Sequence, residues 1–240
     1  MNVYGQTHIG LVRENNQDAL EYGILNDRAQ YAVVCDGMGG ANGGNIASKI
    51  AVEVIGSRIR DGYRENPASP EHLLTSAMVT ANVGVYDLAQ KEPELTGMGT
   101  TVVAVITCDH TAYISHVGDS RLYLYRDGNL SQITRDHSVV QELIESGQIT
   151  ESEARSHPRR NYITRAIGVV SEEYGEYDEL ELHSGDRLLL CTDGLTNAVS
   201  MTDITPLLEL PIEEATQALI EAALNGGGMD NVTVSLMDID

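Results

Sequence analysis

The sequence predicts an α+β protein in which layered antiparallel sheets are flanked by helices. Strand-like runs follow one another along the chain, and helical stretches arrive in pairs. A doubly wound parallel sheet would instead alternate strands and helices strictly. A chain of 240 residues fits one large domain or two small ones, and one compact domain over residues 1–240 is the simplest arrangement.

Short runs rich in β-branched residues, most of them bounded by Gly, Asp or Asn, predict the strands. These runs are residues 31–35, 100–107, 112–117, 121–125, 187–191 and 231–239. The segment Gly118-Asp119-Ser120 separates the third run from the fourth, and it predicts a hairpin between them.

Apolar periodicity and capping signals predict the helices. The first carries apolar rows at i, i+4 spacing from Ile46 to Ile59. The second begins at Ser69-Pro70, an N-cap followed by Pro in the first turn, and reaches Leu88. The others are predicted over Ser138–Gly147, from a capping box of Thr150 and Glu153, and over Pro211–Asn225.

The chain carries a strong negative charge. Its 36 acidic and 15 basic side chains give a formal net charge of −21 at pH 7. Such a surface repels nucleic-acid phosphate and anionic lipid, so neither is expected as a partner. Most of the acidic residues are expected to be solvated, while a few of them could gather to hold divalent cations.

The cysteines and the amino-terminal residues together predict the cellular compartment of the protein. Cys35, Cys108 and Cys191 are far apart and odd in number, which argues against a disulfide framework. The first ten residues, MNVYGQTHIG, lack the basic and apolar stretches of a signal peptide, and no apolar run approaches the roughly 18 residues that span a bilayer. The expected setting is the reducing cytoplasm, without membrane insertion.

Four separated aspartates are the candidate metal ligands. Asp36, Asp119 and Asp193 each follow an apolar strand and stand next to a Gly, and Asp230 lies just before the final strand. A carboxylate at the end of a buried strand is rigidly aimed, and a neighbouring Gly permits close approach. Mg²⁺ and Mn²⁺ prefer oxygen ligands and keep several waters, so a few carboxylates suffice.

A plain turn is the main alternative at each of these segments, because Asp-Gly commonly ends a strand. Three such strand ends together with Asp230 favour a metal site, since buried positions rarely accept unpaired acids. His116 is expected to be a half-buried hairpin residue rather than a metal ligand, and Cys35 and Cys191 are expected to be small core residues. A P-loop and a Cys-nucleophile loop are absent from the sequence.

An ordered series of motifs covers nearly the whole chain. They are Arg13-Glu-Asn-Asn-Gln-Asp18, Val34-Cys-Asp36-Gly37-Met-Gly39-Gly40, Gly97-Met-Gly-Thr-Thr101, His116-Val-Gly-Asp-Ser-Arg121, Asp136-His137-Ser138, His157-Pro158 with Asn161-Tyr-Ile-Thr-Arg165, Cys191-Thr-Asp193-Gly194-Leu-Thr196 and Asp230-Asn231-Val-Thr233. In these motifs the sequence resembles the type 2C protein phosphatases, the metal-dependent serine/threonine class, in their compact bacterial form.

The resemblance implies a four-layer α-β-β-α sandwich, with two antiparallel sheets and helices on both outer faces. It implies a metal centre of two core ions, Mn²⁺ or Mg²⁺, and a weaker third ion. It also implies that residues 143–165, which are polar and loosely patterned, form a variable flap beside the cleft.

The resemblance assigns the metal ligands residue by residue. Asp36 would bridge the two core ions, and the carbonyl of Gly37 would bind one of them. Asp193 and Asp230 would bind the other ion. Asp119, together with Asp193, would hold the third.

The reaction implied is hydrolysis of phosphoserine and phosphothreonine on proteins. A water or hydroxide that bridges two ions about 4 Å apart would attack phosphorus in line, without a covalent enzyme intermediate. Asp18 would hold metal-bound water, and Arg13 would clamp the substrate phosphate with its guanidinium fork. The proton donor to the leaving group stays open, because Ala41-Asn42 stands where many bacterial relatives carry His; a metal-bound water is the preferred candidate.

The implied partners are phosphorylated proteins, among them a serine/threonine kinase and its substrates in bacterial signalling, and the chain is expected to be a monomer. A second hypothesis is a non-catalytic phosphatase-like domain that binds metal or partner proteins. The presence of Arg13, Asp18 and all four candidate ligands argues against it, because an inactive relative is expected to lose some of them.

Overall fold

The computed structural model describes residues 2–65, 69–154 and 156–240, and it contains two antiparallel sheets. The first sheet has five strands in the order β1-β11-β10-β7-β8. Its strands are β1 (Asn2–His8), β7 (Arg121–Arg126), β8 (Asn129–Gln132), β10 (Arg187–Cys191) and β11 (Val232–Asp238). The first and last strands of the described chain are therefore neighbours, with Asn2 opposite Asp238 and His8 opposite Val232.

The second sheet has six strands, five of them in the order β2-β3-β5-β6-β9, with the short β4 paired to the end of β3. Its strands are β2 (Asp18–Asn26), β3 (Ala29–Met38), β4 (Gly99–Thr100), β5 (Val102–Cys108), β6 (Thr111–Val117) and β9 (Glu176–Glu181). Every pairing in both sheets is antiparallel.

The longer helices cover the outer faces of the two sheets, and the short helices lie in the connections. The helices are α1 (Gly40–Glu65), α2 (Pro70–Lys91), α3 (Val139–Glu145), α4 (Glu151–Ala154), α5 (Asp193–Thr196), α6 (Met201–Leu207) and α7 (Ile212–Asn225), with a 3-10 turn at Pro93–Leu95. Within the described ranges, no helix combines the length and the apolar character that crossing a membrane requires.

Three apolar layers hold the sandwich together. One lies between the sheets, one between α1, α2 and the six-stranded sheet, and one between α6, α7 and the five-stranded sheet. Strand β3 shows how one sequence serves two layers: Ala32 and Val34 face the other sheet, while Val33 and Cys35 face the helices. Because side chains alternate along a strand, such a strand is apolar throughout. The α+β expectation and the α-β-β-α layering are confirmed.

Both capping predictions are confirmed. The hydroxyl of Ser69 accepts a hydrogen bond from the backbone N of His72 at 3.4 Å, with Pro70 at the start of α2. Glu153 Oε2 accepts from the backbone N of Thr150 at 2.7 Å, and Thr150 Oγ1 accepts from the backbone N of Glu153 at 3.3 Å. These two reciprocal hydrogen bonds form a capping box at the start of α4.

The predicted hairpin between residues 112–117 and 121–125 is wrong. Strand β6 belongs to the six-stranded sheet and β7 to the five-stranded sheet, so the Gly118-Asp119-Ser120 segment crosses from one sheet to the other. A short Gly-containing segment is compatible with either connection, and both flanking strands are buried on two faces. Two hairpins with positive-φ residues in their turns lie elsewhere, with Asp109 between β5 and β6 and Asp127-Gly128 between β7 and β8.

Strands β1, β2, β8 and β9 and the helices α5 and α6 were not among the sequence predictions. Strands β1, β2, β8 and β9 stand at sheet edges. Strand β9 reads Glu-Tyr-Asp-Glu-Leu-Glu, and acidic side chains protect an edge from pairing with another chain while masking its strand character. Helix α6 contains Pro206, which weakens the helical pattern of the sequence.

The crossing turn yields a prediction for stability. Gly118 has φ +101°, and a Cβ there would lie 2.6 Å from Thr101 Cγ2, whereas Gly128 has φ +77° with open space around it. We expect Gly118→Ala to lower the free energy of unfolding by about 3 kcal/mol and Gly128→Ala by about 1 kcal/mol, because only the first adds a steric clash to backbone strain. Urea denaturation in EDTA measures both, and equal losses would contradict the account.

Candidate metal centre

The predicted site residues lie at strand ends that the fold brings to one end of the sandwich. Asp18 opens β2 and stands directly opposite Asp36, which is near the end of β3. Asp119 lies in the turn between β6 and β7, Asp193 begins α5 just after β10, and Asp230 precedes β11. The antiparallel pairing of β10 with β11 brings the end of the former beside the start of the latter.

Asp18 is the most enclosed of these carboxyls. Its Oδ2 accepts hydrogen bonds from the hydroxyls of Thr192 at 2.9 Å and Thr233 at 2.6 Å. Its Oδ1 is buried and has no hydrogen-bond partner among the described residues. Burial, opposed by the two hydroxyls and assisted by the charges of Asp193 and Asp230, raises the pKa of Asp18 to about 7.

Asp36 is held through its backbone and leaves its carboxylate to the site. Its backbone N donates to Thr101 Oγ1 at 3.0 Å, and its carbonyl accepts from the backbone N of Thr101 at 2.8 Å and from Thr100 Oγ1 at 2.9 Å. Desolvation raises the pKa of Asp36 well above its ordinary value, and the charges of the other four aspartates of the site raise it further.

Asp119 and Asp193 share this environment. Burial raises the pKa of Asp119 to about 7, with further increases from Asp193 and Asp136 and a decrease from the Arg121 cation. Burial also raises the pKa of Asp193, and repulsion from Asp230 adds to it. The carboxylates therefore destabilise one another's charged forms, which is the electrostatic condition of a site that attracts cations.

Arg13 lies at the rim of the cluster. Its Nη2 donates to Asp230 Oδ2 at 2.8 Å, and 51% of the Arg13 side chain is exposed. The pKa of Arg13 is raised by this hydrogen bond and by the nearby charges of Asp230, Asp36 and Asp193. One basic side chain is thus placed where it can meet an anion that approaches the carboxylates.

Gly37 meets the predicted requirement for close approach. Its backbone N donates to the carbonyl of Gln17 at 3.0 Å, and a Cβ at this position would lie 2.0 Å from the carbonyl O of Gly44. No side chain fits between β3 and the start of α1. The backbone of Gly37 is consequently fixed beside Asp36.

The residues present fit divalent cations. The cluster consists of carboxylate oxygens, and the charges of the other four aspartates raise the pKa of Asp36. One buried oxygen, Asp18 Oδ1, lacks a hydrogen-bond partner among the described residues. In the described chain, no three of these carboxylates bring one oxygen each within 4.8 Å of one another. That spacing suits an ion with few protein ligands, either two carboxylates or one carboxylate and a carbonyl. Water would complete its coordination shell, since Mg²⁺ keeps several waters.

A second cluster lies behind the Asp119 turn. Among the described residues, His116, His137 and Glu176 form the one trio of ionisable ligands whose atoms lie within 4.8 Å of one another. The imidazole planes of His116 and His137 are stacked at 11° with centroids 4.8 Å apart, so their in-plane lone pairs run side by side instead of converging. The Arg165 guanidinium, 3.2 Å from His137 Nε2, also opposes a cation here.

His116 is therefore a buried network residue rather than a hairpin residue. Its Nε2 donates to the carbonyl of Arg135 at 2.9 Å. Burial lowers the pKa of the His116 imidazole, partly offset by that hydrogen bond.

Several supporting residues were contained in the sequence motifs without a predicted role. Thr192 and Thr233 hold Asp18, as described above. Asn231 fixes the loop that carries Arg13: its Nδ2 donates to the carbonyls of Ile9 at 2.8 Å and Asn15 at 3.0 Å, and its Oδ1 accepts from the backbone N of Gln17 at 2.8 Å. Their position next to Asp193 or Asp230 was the only signal in the sequence.

Comparisons with known proteins agree in sequence and in fold. The family model described as protein phosphatase 2C matches residues 4–225. Protein phosphatase PhpP of Streptococcus pneumoniae is 36% identical over 236 residues, which cover 98% of this chain and 96% of PhpP.

Solved structures show the same similarity. The crystal structure of the Mycobacterium tuberculosis serine/threonine phosphatase PstP/Ppp has a TM-score of 0.91 at 38% identity, covering 100% of this chain and 98% of that one. The catalytic domain of PstP in complex with 2 manganese ions has a TM-score of 0.89 at 37% identity, again covering 100% of this chain and 98% of that one.

The raised carboxyl pKa values predict how the stability of the metal-free protein depends on pH. Folding raises the pKa of Asp18 and of Asp119 from an ordinary 3.8 to about 7. The protonated carboxyls therefore stabilise the fold fully below pH 4, and this stabilisation is lost as the pH rises through about 7. In EDTA, we expect the melting temperature to be roughly 5 °C higher at pH 5.5 than at pH 8.

Two variants separate this effect from general pH sensitivity. Asp18→Asn keeps an acceptor for Thr192 and Thr233 without a titrating carboxyl, so the difference between the two pH values should shrink. Asp127→Asn changes an exposed turn aspartate and should leave the difference as it is. A melting temperature that rises with pH in EDTA would show that these carboxyls are not destabilised by their surroundings.

Proposed function

The chain belongs to the protein phosphatase 2C family, and from that membership we propose how its own residues carry out the reaction. It is a metal-dependent protein serine/threonine phosphatase that acts on phosphorylated proteins. The single observation that carries the mechanism is the cluster of mutually repelling aspartates with Arg13 at its rim.

The cluster would hold two core ions, Mn²⁺ or Mg²⁺, and a weaker third ion. Asp36 would contact both core ions and the carbonyl of Gly37 one of them, while Asp193 and Asp230 would hold the other. Asp119 would hold the third together with Asp193. When bound, such ions supply a water of lowered pKa and neutralise charge on the phosphoryl oxygens.

Asp18 would position the attacking water. Its Oδ2 is occupied by the hydroxyls of Thr192 and Thr233, so the carboxyl cannot rotate freely. Its Oδ1 has no partner among the described residues and is available as an acceptor. A hydrogen bond from the water to Oδ1 would orient the oxygen lone pair toward phosphorus for in-line attack.

Arg13 would bind the phosphoryl group of the substrate. One N–H of its guanidinium donates to Asp230, which leaves other donors of the fork unused. Parallel N–H bonds to two phosphoryl oxygens suit that fork and would aim the phosphorus at the attacking water. The partial exposure of Arg13 lets a protein-bound phosphate reach it.

Direct attack by water agrees with the state of the buried thiols. Cys35 and Cys191 are fully buried. Burial raises the pKa of Cys35 well above its ordinary value and that of Cys191 to about 12. Neither thiol is a nucleophile under these conditions, because the thiolate is the reactive form.

The wider setting is proposed on the family resemblance. The physiological partners would be a serine/threonine kinase and its substrates in bacterial signalling, and the chain would act in the cytoplasm as a monomer with one catalytic domain. Residues 143–165, which contain the end of α3 and all of α4, would be the flap beside the cleft.

Hydrolysis of a phosphothreonine peptide tests the proposed metal centre. We expect activity with Mn²⁺, its loss in excess EDTA, and a decrease in kcat of about 1,000-fold or more in Asp36→Ala, because Asp36 would contact both core ions. Asp127→Asn is the matched control and should retain wild-type rates. Activity that ignores chelation, or that survives Asp36→Ala, would overturn the proposed centre.

A further inference from the structure

His137 lies at the junction between the Asp119 turn and the flap, and it contacts both. Its Nδ1 accepts a hydrogen bond from the backbone N of Gly118 at 3.1 Å, and its own backbone N donates to the carbonyl of Gly118 at 2.9 Å. Both polar backbone groups of Gly118, the residue before Asp119, are therefore bound to one histidine. The side chain is buried, with 9% of it exposed.

The hydrogen bonds define which nitrogen of His137 carries the proton. Because Nδ1 accepts from the Gly118 N–H, it holds a lone pair, and the ring proton is on Nε2. A protonated Nε2 cannot accept from Arg165 Nη1, which lies 3.2 Å away, so that contact is not a hydrogen bond. Nε2 then donates to Glu176 Oε2 at 3.0 Å. This bond is the largest cause of the lowered pKa of Glu176. Stacking on His116 fixes the ring plane.

The same residue holds the base of the flap. The carbonyl of His137 accepts from the backbone N of Thr164 at 2.8 Å, and the next residue, Ser138, forms a bridge with Ile163. Arg165 follows and donates to Glu173 at 2.7 Å and to the carbonyl of Tyr174. The end of segment 143–165 is thereby joined to the turn that carries Asp119.

We propose that His137 is a positioning residue that holds the Gly118-Asp119 turn in the conformation in which Asp119 binds the third ion, and that it ties this turn to the base of the flap. The inference rests on the proposed function of Asp119. His137 touches neither substrate nor the attacking water. It acts through Gly118, because it binds both polar backbone groups of that residue. The other end of the turn is held separately, by the 2.7 Å hydrogen bond between the hydroxyls of Ser120 and Thr101.

Two substitutions of similar size test the hydrogen bonds of the two ring nitrogens of His137 separately. In His137→Asn, the amide oxygen can take the place of Nδ1 and accept from Gly118, while the contact with Glu176 is lost. In His137→Gln, the longer side chain can reach Glu176, but no acceptor remains at the Nδ1 position. The two variants thus keep opposite halves of the hydrogen-bond pair.

Direct Mn²⁺ binding to the full chain, by isothermal titration calorimetry, is the first readout. Asp119→Ala serves as the benchmark that loses the weakest binding step while it retains the core pair. We expect His137→Gln to weaken that same step by about fivefold to tenfold, the size of one lost hydrogen bond, and His137→Asn to stay within about twofold of wild type. The Mn²⁺ dependence of kcat on a phosphothreonine peptide should shift in parallel.

The outcomes separate this inference from the proposed function. Equal Mn²⁺ binding by His137→Gln and wild type, or weaker binding by His137→Asn than by His137→Gln, would overturn the positioning role while leaving the metal centre intact. If Asp119→Ala binds Mn²⁺ as wild type does, the assignment of the third ion fails, and the inference fails with it. Thermal melting in EDTA checks that each variant is folded. If His137→Gln is unfolded, His137→Asn alone decides: weaker binding of the third Mn²⁺ by His137→Asn than by wild type would overturn the positioning role.

Discussion

Electrostatic repulsion among buried carboxylates is the constraint on which the arrangement of this protein depends. Five aspartates come together at one end of a sandwich whose central strands are apolar on both faces. Burial and the charges of neighbouring aspartates disfavour the charged forms of Asp18, Asp36 and Asp193. Such a cluster is unfavourable in itself and is stable only with protons or cations. The three apolar layers supply the favourable burial that holds these strand ends in place.

The hydrogen-bond partners of the aspartates are chiefly neutral groups. Thr192 and Thr233 hold Asp18, the Thr101 hydroxyl accepts from the backbone of Asp36, and Asn197 donates to Asp193 at 2.9 Å. Hydroxyls and amides orient a carboxylate without neutralising it, so its negative charge stays available to a metal ion. The half-buried guanidinium of Arg121 is itself bound through two nitrogens to Asp136, at 2.9 Å and 2.6 Å.

Much of this site could be predicted from the sequence, because each candidate ligand directly follows or precedes a strong apolar run. The roles of the supporting residues could not, since Thr192, Thr233 and Asn231 act through contacts between segments about 200 residues apart in the chain. The crossing at Gly118 was mistaken for a hairpin because a three-residue connection does not reveal which sheet receives the next strand. Edge strands such as β9 escaped prediction because their acidic, half-exposed sequences resemble loops.

The central claim is that buried carboxyls of the site, Asp18 and Asp119 among them, carry protons at neutral pH until a cation replaces those protons. Calorimetric titration of the full chain with Mn²⁺ in two buffers of different ionisation enthalpy measures the protons released on binding. With Asp18 and Asp119 at pKa values of about 7, these two carboxyls should together release about one proton per chain on binding at pH 7, and Asp36, whose pKa is also raised, should add to that release. The release should decrease as the pH rises from 7 to 9. Mn²⁺ binding at pH 7 without any proton release would contradict the account.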